Sequence, residues 1–334
     1  MQFRTLGNSG IDISVIGLGT WAIGGGDWKF GWGDQDEQEG IATIVRSVEE
    51  GINWIDTAAV YGLGRSEETV GKALKQIPAD NRPLIATKCG RTNEGQGEIG
   101  KCLKRDSIIG ECEDSLRRLG IDCIDLYQMH WPEPDEDIEE GWQTLVDLKK
   151  QGKVRHIGVS NHSVDQLKRL QAIHPVTSLQ PPYSMIAREV EAEILPFCGE
   201  QNIGVICYSP MGKGLLTGAF NRERVAGLSE KDHRSRDPRF HPPQLEINLS
   251  FVDSLRAVAD GLGWTLPELS IAWVLRRPEL TAAIVGARRP DQISETAAAG
   301  DRVLDPASIE AIATAITTRD EALAALGDTE KARV

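Results

Sequence analysis

The sequence predicts a (β/α)8 TIM barrel on three observations: eight short apolar, β-rich runs, helical periodicity between them, and no Pro/Gly/Ser linker or compositional break. The 334 residues are therefore read as a single barrel domain, 1–334. Length and 40% hydrophobic content alone would fit two ordinary domains equally well. The alternation of runs and helical patterns favours the closed barrel over an open doubly wound sheet.

The runs in the first half are Val15 to Thr20, Ile52 to Thr57, Leu84 to Lys88 and Cys123 to His130. The second half supplies His156 to Asn161, Ser178 to Gln180, Gly204 to Ser209 and Ala282 to Gly286. Between them, Ile41, Ile44, Val45 and Val48 share one helical face that Gly51 ends, and Asp106 opens a segment carrying Ile109, Cys112, Leu116 and Leu119 before Gly120. Ser163 and Gln166 have the spacing of a capping box. Two segments stand outside the repeat. Phe3 to Ile13 reads as an N-terminal β-hairpin turned at Asn8 to Gly10 beneath the barrel. Gly218 to Asn248 is charged and aperiodic, and is expected to form a long loop after strand seven across the opposite, active face.

Lys plus Arg number 37 and Asp plus Glu 50, so the net charge of −13 argues against nucleic acid or an anionic membrane as partner. An anionic ligand would need a local basic cluster. The N-terminal MQFRTLGNSG has no basic segment followed by an apolar one, and no stretch reaches the roughly 18 apolar residues of a membrane span. A cytoplasmic location is expected. The six cysteines contain no CxxC pair, so free, mostly buried thiols are expected and no metal site is predicted.

In such barrels the reacting groups stand at the C-terminal ends of strands. Here the runs close on Asp56, Lys88, His130, Asn161, Gln180 and Ser209, a polar set for the ends of apolar runs. Asp56, with Tyr61 five residues on, Lys88 and His130 fall on three consecutive strands. Taken singly, a strand-end Asp and Lys make a structural salt bridge and a loop Tyr packs. Their joint occurrence points to a site.

These residues resemble the aldo-keto reductases. Asp56-Thr57-Ala58-Ala59-Val60-Tyr61-Gly62 is similar to that family's DTAxxYG segment, Ile85-Ala86-Thr87-Lys88 is similar to its strand-three lysine, and the likeness runs from Gly17 to Pro290. The resemblance implies reduction of a small carbonyl compound by a nicotinamide cofactor. Hydride delivery builds negative charge on the carbonyl oxygen, so a proton donor and a cation must face it. Tyr61 is the expected acid. Lowering its pKa from about 10 to near neutral takes roughly 4 kcal/mol, at 1.36 kcal/mol per unit, which requires a partly desolvated Lys88. Asp56 is expected to keep that lysine charged, and His130 can bond the substrate oxygen or share in proton transfer.

Gly17-Leu18-Gly19-Thr20-Trp21-Ala22 matches the GxGxxG/A fingerprint literally, but Ile23-Gly24-Gly25-Gly26 follows where a helix is required, so it is not read as a Rossmann site. Gly19, Thr20 and Trp21 are placed with Asp56 at the cofactor's end of the barrel mouth, Trp21 also lining the substrate pocket by resemblance. Tyr208, Ser209, Pro210, Met211, Gly212 and Lys213 after strand seven can embrace a pyrophosphate, with Tyr208 against the nicotinamide ring. By similarity, Ser160, Asn161 and Gln180 would bond the carboxamide. Past Gly286, Arg288 is placed to grip a 2′-phosphate, which selects NADPH over NADH. Gln292 and Glu295 match the family's adenine-side helix; Thr296 stands where that family commonly has Asn.

Other classes fit less well. No tyrosine here begins the Tyr-x-x-x-Lys of a short-chain dehydrogenase, and no HxH pair suggests a metal-dependent barrel hydrolase. A cofactor-binding regulatory or redox-sensing barrel subunit with little turnover could retain the four site residues; the sequence has no basic tail, heptads or exposed apolar stripe to dock it.

Overall fold

The computed structural model describes residues 1–331 apart from Asp27 and Gln96. Eight parallel strands close into a barrel, each paired with the next in chain order: β1 Ile16–Gly19, β2 Trp54–Asp56, β3 Leu84–Cys89, β4 Ile124–Met129, β5 Val154–Ser160, β6 Ser178–Gln180, β7 Gly204–Tyr208 and β8 Leu280–Gly286. All eight predicted runs are strands. Their ends move by at most two residues, so that Thr57, His130, Asn161 and Ser209 sit just past the ladder. Helices Glu37–Glu49, Arg65–Leu74, Arg105–Leu119, Ile138–Lys150, Val164–Gln171, Ile194–Glu200 and Leu266–Leu275 alternate with the strands. Ser163 and Gln166 form the predicted capping box. Pro290–Ala297 follows β8. No helix among the described residues is long and apolar enough to cross a membrane.

Side chains alternate across each strand, and this separates those that face the helices from those that fill the barrel interior. Ile55, Ile85, Tyr127 and Leu179 face the helices and join the outer core. Trp54, Ala86, Leu126, Ile206, Ala282 and Ile284 form a second cluster with Leu6 and Ile13 of the N-terminal hairpin, whose strands are Phe3–Thr5 and Asp12–Ser14. The hairpin thus plugs one end of the barrel with apolar side chains. One pleat further along β2, β3 and β4 come Asp56, Lys88 and Gln128, so a polar layer lies directly above an apolar plug. Trp54 also explains the misleading glycine motif: a Cβ on Gly17 would stand 2.2 Å from the Trp54 ring. Packing inside the barrel, not a phosphate, requires that glycine.

The expected long loop is real but more structured than its aperiodic sequence suggested. Gly218–Asn248 contains a short helix, Arg222–Ala226, and two single turns, and helix Gln244–Leu262 begins inside it. Pro243 caps that helix with no side-chain hydrogen bond, so the usual start signal is missing. An unpredicted two-strand ribbon, Asn93–Gly95 with Glu98–Ile99, rises after β3.

Candidate active site

The barrel ladder positions the four predicted catalytic residues. Asp56 is in register with Gly19 and Ala86, and Lys88 with Gln128, so three adjacent strands set the layer before any side chain is placed. Lys88 Nζ donates to Asp56 Oδ1 at 2.6 Å, to the Thr57 carbonyl at 2.8 Å and to the Tyr61 hydroxyl oxygen at 3.3 Å. Asp56 and Lys88 are 2% and 1% exposed, a level of burial that an ion pair tolerates only when its remaining hydrogen bonds are made. Gln180 supplies one, donating from Nε2 to Asp56 Oδ2 at 2.8 Å. His130 stands with its ring 5.7 Å from that of Tyr61, edge to face.

These contacts change the expected electrostatics. Burial and the charge of Asp56 raise the Tyr61 pKa well above its ordinary value, rather than Lys88 drawing it toward neutral. The reason is geometric: the Lys88 charge is largely compensated by a carboxylate closer to it than the phenol. Burial lowers the Lys88 pKa against the opposing pull of Asp56. Burial, with the charges of Lys88 and Arg91, depresses His130 well below its ordinary value, so its imidazole is neutral. Since Lys88 donates to the phenol oxygen, the hydroxyl proton of Tyr61 remains available to a group in front of it.

That front is a cavity of ≈1090 Å³ walled by Gly19, Trp21, Asp56, Tyr61 and His130, among others. Ser160, Asn161, Gln180, Tyr208, Ser209, Pro210, Met211 and Lys213 also line it, as do Gly286, Arg288, Gln292 and Glu295. Thr20 and Gly212 are buried and absent from its wall. The Thr20 hydroxyl donates instead to the Asp56 carbonyl at 3.1 Å.

Several predicted cofactor contacts are engaged with one another. Asn161, at φ 65°, donates to the His130 carbonyl at 3.1 Å and to Ser160 Oγ at 2.9 Å, and accepts from the Tyr208 hydroxyl at 2.9 Å. Ser160 Oγ donates to the Gln180 carbonyl at 2.8 Å. The amide of Gln180 holds Asp56, a role the sequence reading did not assign. Lys213, expected at a pyrophosphate, pairs with Asp237 of the long loop at 3.1 Å. Gln292 Oε1 accepts from the Arg288 backbone N–H at 2.8 Å, and the Thr296 hydroxyl bonds within its own helix.

Two loops close over the cavity and grip each other. Trp32 pairs with Asp232 in an antiparallel bridge, the His233 N–H donates to the Gly31 carbonyl at 3.0 Å, and Arg236 Nη2 donates to the Lys29 carbonyl at 2.6 Å. His233 stacks on Trp21, and burial lowers its pKa to about 4. Trp28, Phe30 and Trp131 add aromatic wall, while Arg91 pairs with Glu133 and lies 5.6 Å from the Trp131 ring. The sequence reading missed Gln128, Gln35, Arg91, Trp28 and Trp131 as site features, whereas Phe30 falls in the Lys29 to Asp34 loop expected to set substrate choice. Gln128 alone left a signal, a polar residue inside an apolar run.

A barrel mouth that joins a buried Asp–Lys pair, a Tyr and a His under a long polar and aromatic cavity is the arrangement expected of a carbonyl-directed oxidoreductase. The model of the Aldo/keto reductase family matches residues 15–317. The chain is 39% identical over 294 residues to aldo-keto reductase YhdN of Bacillus subtilis, covering 88% of this chain and 87% of that protein. It is 36% identical over 311 residues to the NADH-specific methylglyoxal reductase of Escherichia coli, covering 90% and 93%. The glycerol dehydrogenase AKR11B4 of Gluconobacter oxydans superposes with a TM-score of 0.85 at 36% identity, covering 95% of each chain. The chain belongs to the aldo-keto reductase family, oxidoreductases that use nicotinamide cofactors on small carbonyl compounds.

Proposed function

We propose that this protein reduces a small aldehyde or ketone to the alcohol with NADPH, Tyr61 supplying the proton. The observation that carries the proposal is the placement of Lys88: it donates to the Tyr61 oxygen from behind, so the phenolic proton is directed to the cavity. The cofactor supplies hydride when bound. Asp56 and Gln180 hold Lys88 and its charge in place, and Tyr61, kept protonated by burial, donates to the carbonyl oxygen as negative charge develops there. Neutral His130, across the ring of Tyr61, offers a hydrogen bond to the same oxygen. Trp21 and the loops that clasp above it wall the cavity.

The residues at the far end of the cavity suit a dinucleotide with a 2′-phosphate. Lys213, Arg234 and Arg289 each face a carboxylate, Asp237, Asp232 and Asp291. Arg288 lines the cavity and donates to neutral oxygens, those of the Gln35 amide and the Trp32 and Asp34 carbonyls. The NADH-specific relative argues the other way, which makes cofactor choice the point to measure. Relatives named for methylglyoxal and glycerol support a small, oxygen-rich substrate.

The test is oxidation of NADPH and of NADH, in parallel, by chelator-treated protein across aromatic aldehydes, short sugars, α-dicarbonyls and pyridoxal. Turnover that survives chelation and prefers NADPH supports the proposal. Saturable NADPH binding without turnover on any member would replace it with a cofactor-binding regulatory role, and absence of NADPH binding would overturn the cofactor assignment.

A further inference from the structure

Arg288 is held in an unusual way. Its Nε donates to Gln35 Oε1 at 2.7 Å, its Nη1 to the Trp32 carbonyl at 3.0 Å and its Nη2 to the Asp34 carbonyl. Gln35 closes the contact from the other side, its Nε2 donating to the Arg288 carbonyl at 3.1 Å. Gln35 is itself fixed: it is 6% exposed, and its carbonyl accepts from Arg65 Nη2 at 2.8 Å. A guanidinium has five N–H donors, so three are engaged and the second N–H of each Nη remains.

Every acceptor in this collar is neutral. A carboxylate in the place of the Gln35 amide would still accept from the guanidinium, but it would lose the amide's bond to the Arg288 carbonyl and oppose the guanidinium's field, as Asp291 does beside Arg289. Arg288 is also half-buried, and burial, with the like charge of Arg234, lowers its pKa against the opposing pull of Asp232 and Glu39, although a guanidinium stays charged. The result is an oriented cation on the wall of the cavity whose hydrogen bonds go to neutral oxygens, where an anion would gain a charge-assisted bond without first displacing a bonded carboxylate.

We propose that Gln35 is the positioning residue for cofactor choice, holding Arg288 with its charge free so that the cavity prefers a dinucleotide bearing a 2′-phosphate. The inference rests on the NADPH assignment above and adds to it that discrimination resides in the neutrality of the three oxygens that accept from Arg288 as well as in the arginine. A purely structural role is the competing account: Gln35 would then only staple the loop after β1 to the end of β8, and its replacement would weaken both cofactors alike.

The experiment measures dissociation constants for NADPH and NADH by tryptophan-fluorescence quenching, without substrate, in the wild type, Gln35→Glu, Gln35→Ala and Arg288→Gln. Gln35→Glu is expected to weaken NADPH by about tenfold or more, the scale of a lost charge-assisted hydrogen bond, and to change NADH much less. Gln35→Ala should weaken NADPH by a smaller factor, since the collar loosens but no negative charge enters. If Gln35→Glu does not fold, the Gln35→Ala ratio alone decides. Equal losses for both cofactors, or no change in either variant, overturn the inference. If the wild type prefers NADPH, Arg288→Gln abolishes the preference and the Gln35 variants keep it, the NADPH assignment stands and this inference falls. A wild type that does not distinguish the two cofactors overturns both.

Discussion

The floor and the roof of the cavity are built by different physics. The floor, Asp56, Lys88, Gln128 and Gln180, comes from four strands whose register is fixed by the backbone ladder, and its polar atoms bond chiefly to one another, out of contact with water. The roof, the loop after β1 and Gly218–Asn248, is assembled from side chains and a single bridged pair, Trp32 with Asp232. A ladder position is enforced by many cooperative bonds, whereas a loop contact can be exchanged residue by residue. The chemistry therefore sits where the backbone leaves least freedom, and recognition where it leaves most.

The sharpest way to break this comparison is at the floor. Tyr61→Phe keeps the ring and its packing while removing the proton donor. We expect turnover to fall by about 10²–10⁴, the usual contribution of general acid catalysis, with NADPH affinity unchanged. Wild-type turnover in this variant, measured by single-turnover kinetics, would remove Tyr61 from the mechanism.

Lys88→Met should cost about 3–5 kcal/mol in urea unfolding, because it strands the buried Asp56 carboxylate without its cation. The double variant Asp56→Asn/Lys88→Met should recover much of that loss while remaining inactive. A single variant as stable as the wild type would mean that water reaches this layer and that the floor is not closed as described.

A smaller effect is expected at the seam between floor and loops. Glu111 accepts from the Gly90 N–H at 2.9 Å and from Ser107 Oγ at 3.1 Å, fastening the chain just past Lys88, and burial raises its pKa to about 7. The folded protein thus binds this proton more tightly than an unfolded glutamate, whose pKa is about 4.3, so unfolding releases it. Stability should then fall by a few kcal/mol at most as pH rises from about 4.3 through 7. Glu111→Gln should flatten that part of the profile in pH-dependent thermal melts, and an unaltered profile would assign the slope to other groups.

The sequence alone determined the barrel, because hydrophobic periodicity and turn residues are local properties and eight repetitions leave few alternatives. It also placed Asp56, Tyr61, Lys88 and His130 at neighbouring mouths, since strand order by itself makes them neighbours. Only the tertiary structure decided what those residues do to one another. Burial of the phenol, together with an Asp56 that lies nearer to Lys88 than Tyr61 does, turns the expected lowering of the Tyr61 pKa into a rise. Gln180 holds Asp56, and Gln35, 253 residues away in the chain, holds Arg288. No local pattern records such pairings, because they depend on side-chain directions and loop paths fixed by packing across the whole barrel.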